Sequence, residues 1–194
     1  MLIGLTGCKG SGKDTVGTYL VENYGYTRIA FADKLKEAVA NLFDITVEEV
    51  DELKNKPAHI RLTEVGRDSR YSTTTQLIYW REFLQRFGTE MGRNTFGQDF
   101  WTDLWETTYH EAQMTSSAYK PVVVTDVRFE NEARRIIQLG GWLIEVVRPG
   151  HEPDGHASEE PIDRDLLTAQ LGNDGSIEDL YEMTDGLMEV LGAR

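Results

Sequence analysis

A single cysteine, Cys8, stands in the 194 residues, so no disulfide can form within the chain. No apolar run approaches the roughly 20 residues that a membrane helix needs, and no charged-then-apolar leader opens the sequence. These absences lead to the expectation of a reducing cytoplasm as the natural home, with no membrane partner. Basic residues are scarce as well: 20 Lys and Arg against 33 Asp and Glu give a formal net charge of −13. Such a field repels phosphate backbones and anionic lipid, so a nucleic-acid partner is not expected. Low-complexity linkers and internal repeats are also missing. The length suits one sizeable core with room for an inserted lobe, and 40% hydrophobic with 27% charged residues is the balance of an ordinary soluble domain. An anionic ligand must then be met by cations gathered locally, which makes the few basic residues near motifs the informative ones.

The strongest motif opens the chain. The apolar run Leu2-Ile3-Gly4-Leu5-Thr6 leads into Gly7-Cys8-Lys9-Gly10-Ser11-Gly12-Lys13-Asp14-Thr15, which meets the P-loop pattern G-x-x-x-x-G-K at Gly7, Gly12 and Lys13. Gly10 and Gly12 permit positive φ, so that successive amides converge on phosphate oxygens. The helix that follows adds its positive end, and Lys13 brings a mobile ammonium to the β- and γ-phosphates. The hydroxyl expected directly after the lysine arrives one place late, as Thr15, because Asp14 intervenes. Asp14 reads either as a first-turn carboxylate favouring the helix dipole or as a group near Mg²⁺.

Periodicity predicts a helix from Asp14 to about Tyr24, stopped by Gly25, then a strand over Tyr26–Phe31 and a helix over Ala32–Phe43. A β-loop-α-β-α start implies a parallel sheet with right-handed crossovers. Thr46-Val47-Glu48-Glu49-Val50 reads as a capped short helix, and Arg61, Arg67 and Arg70 gather in a weakly apolar stretch. Two long helices are predicted next: Gln76–Met91, with Leu77, Trp80, Leu84 and Phe87 in register, and Gln98 to about Met114. The β-branched run Val122-Val123-Val124-Thr125-Asp126 reads as a buried central strand ending in a carboxylate. A helix over Phe129–Leu139, a strand over Trp142–Val147, a short strand over Leu167–Leu171 and a closing helix from Ser176 complete the reading. The expected organisation is one domain, its core about residues 1–43 and 120–194, with inserted helices about 44–119 and a lid about 148–165.

Phosphoryl transfer needs positioned reactants and positive charge rather than covalent help. Three groups could supply it opposite Lys13. Lys36, in Phe31-Ala32-Asp33-Lys34-Leu35-Lys36, reads either as a grip on an acceptor phosphate or as a solvated helix lysine. In Thr125-Asp126-Val127-Arg128, Asp126 ends a strand as a Walker B carboxylate does, able to hold Mg²⁺ directly or through water, or else caps the next helix; Arg128 offers a forked grip on phosphate. Arg81 and Gln85, four apart on a helix, could read an acceptor's phosphate and base, or serve a structural ion pair. Trp101 belongs to an aromatic set that is core by default, although one ring could stack on a base. Arg148 and Arg164 flank a loop with Gly150, Pro153 and Gly155, a plausible lid. His151, His156, Ser158 and Glu159 in that loop fit no metal spacing, and Asn173-Asp174-Gly175-Ser176 reads as a turn and helix cap.

Gly10-Ser11-Gly12-Lys13-Asp14-Thr15, Phe31-Ala32-Asp33 with Leu35-Lys36, Leu84-Gln85 with Gly88-Thr89-Glu90, Thr125-Asp126-Val127-Arg128-Phe129 with Asn131-Glu132, and Asn173-Asp174-Gly175 together resemble the deoxynucleoside monophosphate kinases of tailed bacteriophages. The likeness runs in order over nearly the whole chain. More distantly the chain is similar to adenylate kinase and its relatives, which also place a non-hydroxyl residue and then Thr after the lysine. The resemblance implies an α/β P-loop kinase fold: a five-stranded parallel sheet flanked by helices, an inserted monophosphate-binding region and a short lid. It implies ATP as co-substrate with Mg²⁺, small-molecule nucleotides as partners and a possible homodimer, in the bacterial host's cytoplasm if phage-encoded. Carried over residue by residue, Gly10 to Thr15 with Arg148 would hold ATP, and Asn173 to Gly175 would border its base. Lys36 and Arg128 would hold the acceptor phosphate, with Arg81, Gln85 and Trp101 lining the acceptor pocket. Metal binding would fall to Asp126 and Thr15. The lid departs from the pattern, since related kinases often bring several arginines there.

The expected reaction is transfer of the γ-phosphoryl group of ATP to a deoxynucleoside 5′-monophosphate for DNA precursor synthesis. The alternatives are a P-loop kinase for another small acceptor such as dephospho-coenzyme A, or a GTP-binding switch. The switch lacks an Asn-Lys-x-Asp motif, since Asn55-Lys56 runs into Pro57-Ala58.

Overall fold

The computed structural model describes residues 1–65, 73–115, 119–150 and 162–192, with the side chains of 62–65 and 73–75 outside that description. Arg67 and Arg70, and the lid residues His151, Pro153, Gly155, His156, Ser158 and Glu159, lie outside the described residues. The first elements are β1 (Leu2–Thr6), α1 (Lys13–Tyr24), β2 (Thr27–Arg28), α2 (Asp33–Phe43), α3 (Val47–Lys54), β3 (His59–Val65), β4 (Thr73–Tyr79) and α4 (Trp80–Arg86). A π-helical stretch, Phe87–Arg93, joins α4 to the short α5 (Asn94–Phe96). Then come α6 (Phe100–Met114), β5 (Val122–Val124), α7 (Glu130–Gln138), β6 (Trp142–Val147), a 3-10 turn at Arg164–Leu166, β7 (Ala169–Gly172) and α8 (Ile177–Val190). Among the described residues no helix is long and apolar enough to cross a membrane. The chain divides into two compact units, Met1–Phe31 with Thr102–Arg194, and Ala32–Trp101.

The first unit is built on a five-stranded sheet in the order β2-β5-β1-β6-β7. Every adjacent pair is parallel, with Ile3 opposite both Val123 and Trp142, and Ile144 opposite Ala169. All of β1 and β5 is buried, which is why both read as unbroken apolar runs: helices cover the two faces of a parallel sheet. Strand alternation sorts the side chains. Leu2, Val122, Val124 and Leu143 pack with Trp105 and Tyr109 of α6 and Ala133 and Ile136 of α7. Ile3, Leu5, Val123, Ile144 and Val146 pack on the opposite face with Leu20 of α1 and Leu180 and Met188 of α8. Each such Val, Leu, Ile or Met side chain contributes about 1.5–3 kcal/mol by leaving water. The Asp185 carboxylate on α8 accepts from the Tyr19 hydroxyl at 2.9 Å and the Tyr24 hydroxyl at 2.7 Å, tying α8 to α1.

Three predicted boundaries move. The second strand, expected over Tyr26–Phe31, is only Thr27–Arg28. Its ends are taken by other partners: Tyr26 N–H donates to Leu20 at the end of α1, and Phe31 N–H donates to the Asp126 carboxylate. The central strand stops at Val124, two residues before Asp126. The last strand begins at Ala169 rather than Leu167, because the Leu166 and Leu167 amides close a 3-10 turn on Asp163 and Arg164.

The second unit departs further from expectation. Instead of a helix over Gln76–Met91, residues up to Tyr79 form the second arm of an antiparallel hairpin, with Ile60 opposite Ile78 and His59 opposite Tyr79. The apolar positions Leu77, Trp80, Leu84 and Phe87 share helical spacing, yet Leu77 is 61% exposed while Ile78 is 1% exposed, the alternation of a strand. The helix starts at Trp80 and widens into the π-helical stretch. Ile78, Trp80 and Leu84 pack with Val39 and Ala40 of α2 and Val50 of α3. This packing places α2 in the second unit, and Trp105 and Tyr109 place most of α6 with the sheet. The short helix at Thr46 forms as its capping box predicts, with Thr46 Oγ1 accepting from Glu49 N–H at 3.1 Å.

Candidate active site

Because all five strands of the sheet run the same way, the residues that follow them collect along one edge. Gly7 to Lys13 follow β1, Asp126 and Arg128 follow β5, Arg148 follows β6 and Asn173 follows β7. The sheet thus brings together Lys13, Asp126, Arg128, Arg148 and Asn173 along its carboxyl edge. Arg164 lies on the turn leading into the amino end of β7, the other edge.

Gly7, Gly10 and Gly12 have φ of +130°, +79° and +109°, the left-handed conformations expected of an anion-binding loop. Gly7 is required twice over, since a Cβ there would also collide with the Val146 carbonyl oxygen of β6. Ser11 N–H closes a turn on Cys8 O at 3.1 Å, and Gly12 caps α1 without a side-chain acceptor, so the first-turn amides of α1 are not consumed by a cap. Lys13 is 9% exposed, and its Nζ donates to the carbonyls of Gly7 at 2.6 Å and Cys8 at 2.7 Å, which holds the ammonium against the loop. Asp14 is exposed in the first turn and Thr15 is half-buried beside it.

Asp126 is oriented by Phe31 N–H, which donates to its Oδ1 at 2.9 Å. Arg128 is exposed and its backbone is fixed: the buried Glu132 carboxylate accepts from Arg128 N–H at 2.8 Å and from Phe129 N–H at 3.1 Å. That carboxylate caps α7 and anchors the turn that presents Arg128. Among the described residues no group of three His, Cys, Asp or Glu gathers as a metal cage. Asn173 turns its side chain to the loop backbone, with Nδ2 donating to Ser11 O at 2.8 Å. Gly175 sits beside the cap of α8, where Ser176 and Asp179 exchange hydrogen bonds of 2.7 and 3.1 Å.

In the second unit Lys36 Nζ bonds Asp51 at 2.8 Å, and Lys54 takes the other carboxylate oxygen at 3.0 Å. Burial raises the Asp51 carboxyl, but hydrogen bonds from the two lysines outweigh it and hold the group below the ordinary range. Two ammoniums on one carboxylate leave a net positive cluster. Arg81 and Gln85 are half-buried one turn apart on α4, and Arg81 donates to Asn55 Oδ1 at 3.3 Å. The indole of Trp101 is 7% exposed, donates to Gly88 O at 2.8 Å and lies against Gly92. It is a post for the π-helical stretch, not a ring open to stack on a base. Arg93 is 6% exposed and donates to Gln98 O at 2.9 Å. Sequence reasoning passed over Glu132 as an anchor, although its place three residues into the helix is a capping signal. For the contact of Asn173 with Ser11 no local signal exists.

A family model described as deoxynucleotide monophosphate kinase matches residues 1–76 and 69–184. A protein of Acanthamoeba polyphaga mimivirus, provisionally named deoxynucleotide monophosphate kinase, is 35% identical over 187 residues, covering 93% of this chain and 92% of its own. The deoxynucleotide monophosphate kinase of Enterobacteria phage T4 is 26% identical, over 98% of this chain and 99% of its own. Among solved structures, a shikimate kinase from Bacteroides thetaiotaomicron aligns over 99% of this chain and 98% of its own at 13% identity, with a TM-score of 0.46. The family model spans residues 1–184, phosphate loop and sheet edge included, and the mimivirus relative covers 93% of the chain: the chain belongs to the deoxynucleotide monophosphate kinase family.

Proposed function

We propose that the chain transfers the γ-phosphoryl group of ATP to the phosphate of a deoxynucleoside 5′-monophosphate, giving ADP and a deoxynucleoside diphosphate for DNA synthesis. One observation carries this reading: within a chain of this family, the glycine loop with Lys13 follows β1, and the Asp126 carboxylate with the exposed Arg128 follows the adjacent β5, onto one sheet edge. An oxygen of the acceptor phosphate forms a bond to the γ-phosphorus while the bond to the β–γ bridging oxygen breaks, its electron pair leaving on ADP. That oxygen is already ionised near neutral pH, since a phosphate monoester's second pKa is about 6, so no strong general base is needed. The loop amides from Gly10 to Thr15 and the Lys13 ammonium bind the triphosphate and offset the charge that develops on it. Arg148 and Asn173 to Gly175 serve the nucleotide side of the same loop. Arg128 grips phosphate with its forked guanidinium, and Lys36, Arg81 and Gln85 take the acceptor, with Trp101 supporting by packing.

Mg²⁺ fits the oxygen donors of Thr15 and Asp126. It binds in such sites through one or two protein oxygens with phosphate and water oxygens, and needs no all-protein cage. Held by Thr15 and Asp126, the ion would supply positive charge against the triphosphate. The cytoplasm is the proposed location and a homodimer the proposed assembly, the latter open to light scattering.

The test is ADP release from ATP with each of dAMP, dCMP, dGMP and dTMP and their ribose counterparts, with a chelator control. Turnover with at least one deoxynucleotide, abolished by the chelator, is expected. Silence across the panel with turnover on dephospho-coenzyme A overturns the acceptor assignment.

A further inference from the structure

We propose that Asn173 is a positioning residue for the phosphate loop, aiming the Gly12 amide at the triphosphate, and does not read the adenine. The inference rests on the reading of Gly7 to Lys13 as the triphosphate site. Asn173 Nδ2 donates to Ser11 O at 2.8 Å across 162 residues of sequence. Ser11 O and Gly12 N–H belong to one peptide, and that peptide is trans, so its carbonyl and its N–H point in opposite directions. Holding the oxygen from the Asn173 side therefore turns the Gly12 N–H away from Asn173, the direction in which the triphosphate would lie on that reading.

Three further observations fit. A Cβ on Gly12 would lie 2.6 Å from Asn173 Nδ2, so a glycine is needed there for the amide to approach as well as for the φ of +109°. Asn173 is itself held: its N–H donates to Val147 O at 2.7 Å, at the carboxyl end of β6, where Val147 and Gly172 are paired in the sheet. The amide thus projects from the rigid end of two paired strands rather than from a free loop. The Ser11 hydroxyl, 1% exposed, has no hydrogen-bond partner among the described residues, so it takes no part in holding the loop.

A base-contacting residue and a loop-positioning residue differ in which part of ATP they affect. Asn173→Ala, and Asn173→Leu as a neutral variant of similar shape without the donor, separate the two roles. The probes are inorganic tripolyphosphate and adenosine, with binding measured by calorimetry beside steady-state kinetics. The variants are expected to raise the KM for ATP and the dissociation constant of tripolyphosphate by about 3- to 10-fold, the size of one hydrogen bond. Adenosine binding and the KM of the deoxynucleotide acceptor should stay within about twofold, a split that loss of fold does not produce. Where Asn173→Ala fails to fold, Asn173→Leu carries the test. Loss of adenosine binding with unchanged tripolyphosphate binding overturns the proposal, as does a folded variant with wild-type values for both. If the unaltered protein binds ATP but not tripolyphosphate, the phosphate-loop reading itself fails.

Discussion

Tyr26 is 4% exposed, and its hydroxyl has no hydrogen-bond partner among the described residues. Burial pushes its phenol up to about 12, against an ordinary value near 10. The folded state then holds this proton more tightly than the unfolded state does. Its contribution to stability is fully present below pH 10 and is lost as pH rises from about 10 toward 12. Tyr26→Phe removes a hydroxyl with no partner among the described residues, so at pH 7 its stability should match the wild type or exceed it by up to about 1 kcal/mol. Denaturant unfolding between pH 8 and 11.5 should show the advantage of the variant widening above pH 10. A constant difference across that range would contradict the assignment. The buried Lys13 makes a contrasting case, since Gly7 and Cys8 supply carbonyl oxygens to its ammonium. Such local partners are why the phosphate loop was legible from residues: glycines, lysine, preceding strand and following helix lie within one short stretch. Asn173 was not, because its partner is 162 positions away.

At the scale of elements, a π-helical turn costs hydrogen-bond geometry and persists where packing compensates. Here Trp101 supplies that packing. Its indole N–H takes Gly88 O, and its ring fills the space beside Gly92. A Cβ at Gly92 would fall 2.6 Å from Trp101 Cε2, so Gly92→Ala forces the indole out or the turn to rewind. The expected loss is about 1–3 kcal/mol, a fall of about 2–4 °C in Tm for each kcal/mol in a chain of this size. Thermal unfolding followed by tryptophan fluorescence measures it; an unchanged Tm would show that the indole is not a fixed post. The same region is where elements were least legible. A spacing of 77, 80, 84 and 87 satisfies a helix as well as it satisfies the end of a strand followed by a helix. The buried Ile78, opposite Ile60 on the hairpin partner, decided for the strand. A lone sequence carries no sign of that partner. The strands of the parallel sheet were easier, because burial on both faces writes itself as unbroken apolar residues.

For the whole molecule, the net charge of −13 was read as an argument against nucleic acid, and it has a measurable form. Non-specific duplex binding in the range of about 1–100 µM, usual for basic proteins at physiological salt, should be absent. Fluorescence anisotropy with a labelled duplex at low and moderate salt tests this, and salt-sensitive binding would reverse the conclusion. The order β2-β5-β1-β6-β7 has a consequence for the timing of synthesis. The first strand to leave a ribosome is the middle one, and its neighbours begin only at Val122 and Trp142. Until then Leu2 to Leu5 have α1 to pack against but neither strand partner, which leaves an unpaired apolar strand exposed to aggregation. Once the later strands arrive, sheet and phosphate loop close together. A prematurely terminated chain would therefore contain the whole glycine motif without the two strands that flank it in the sheet.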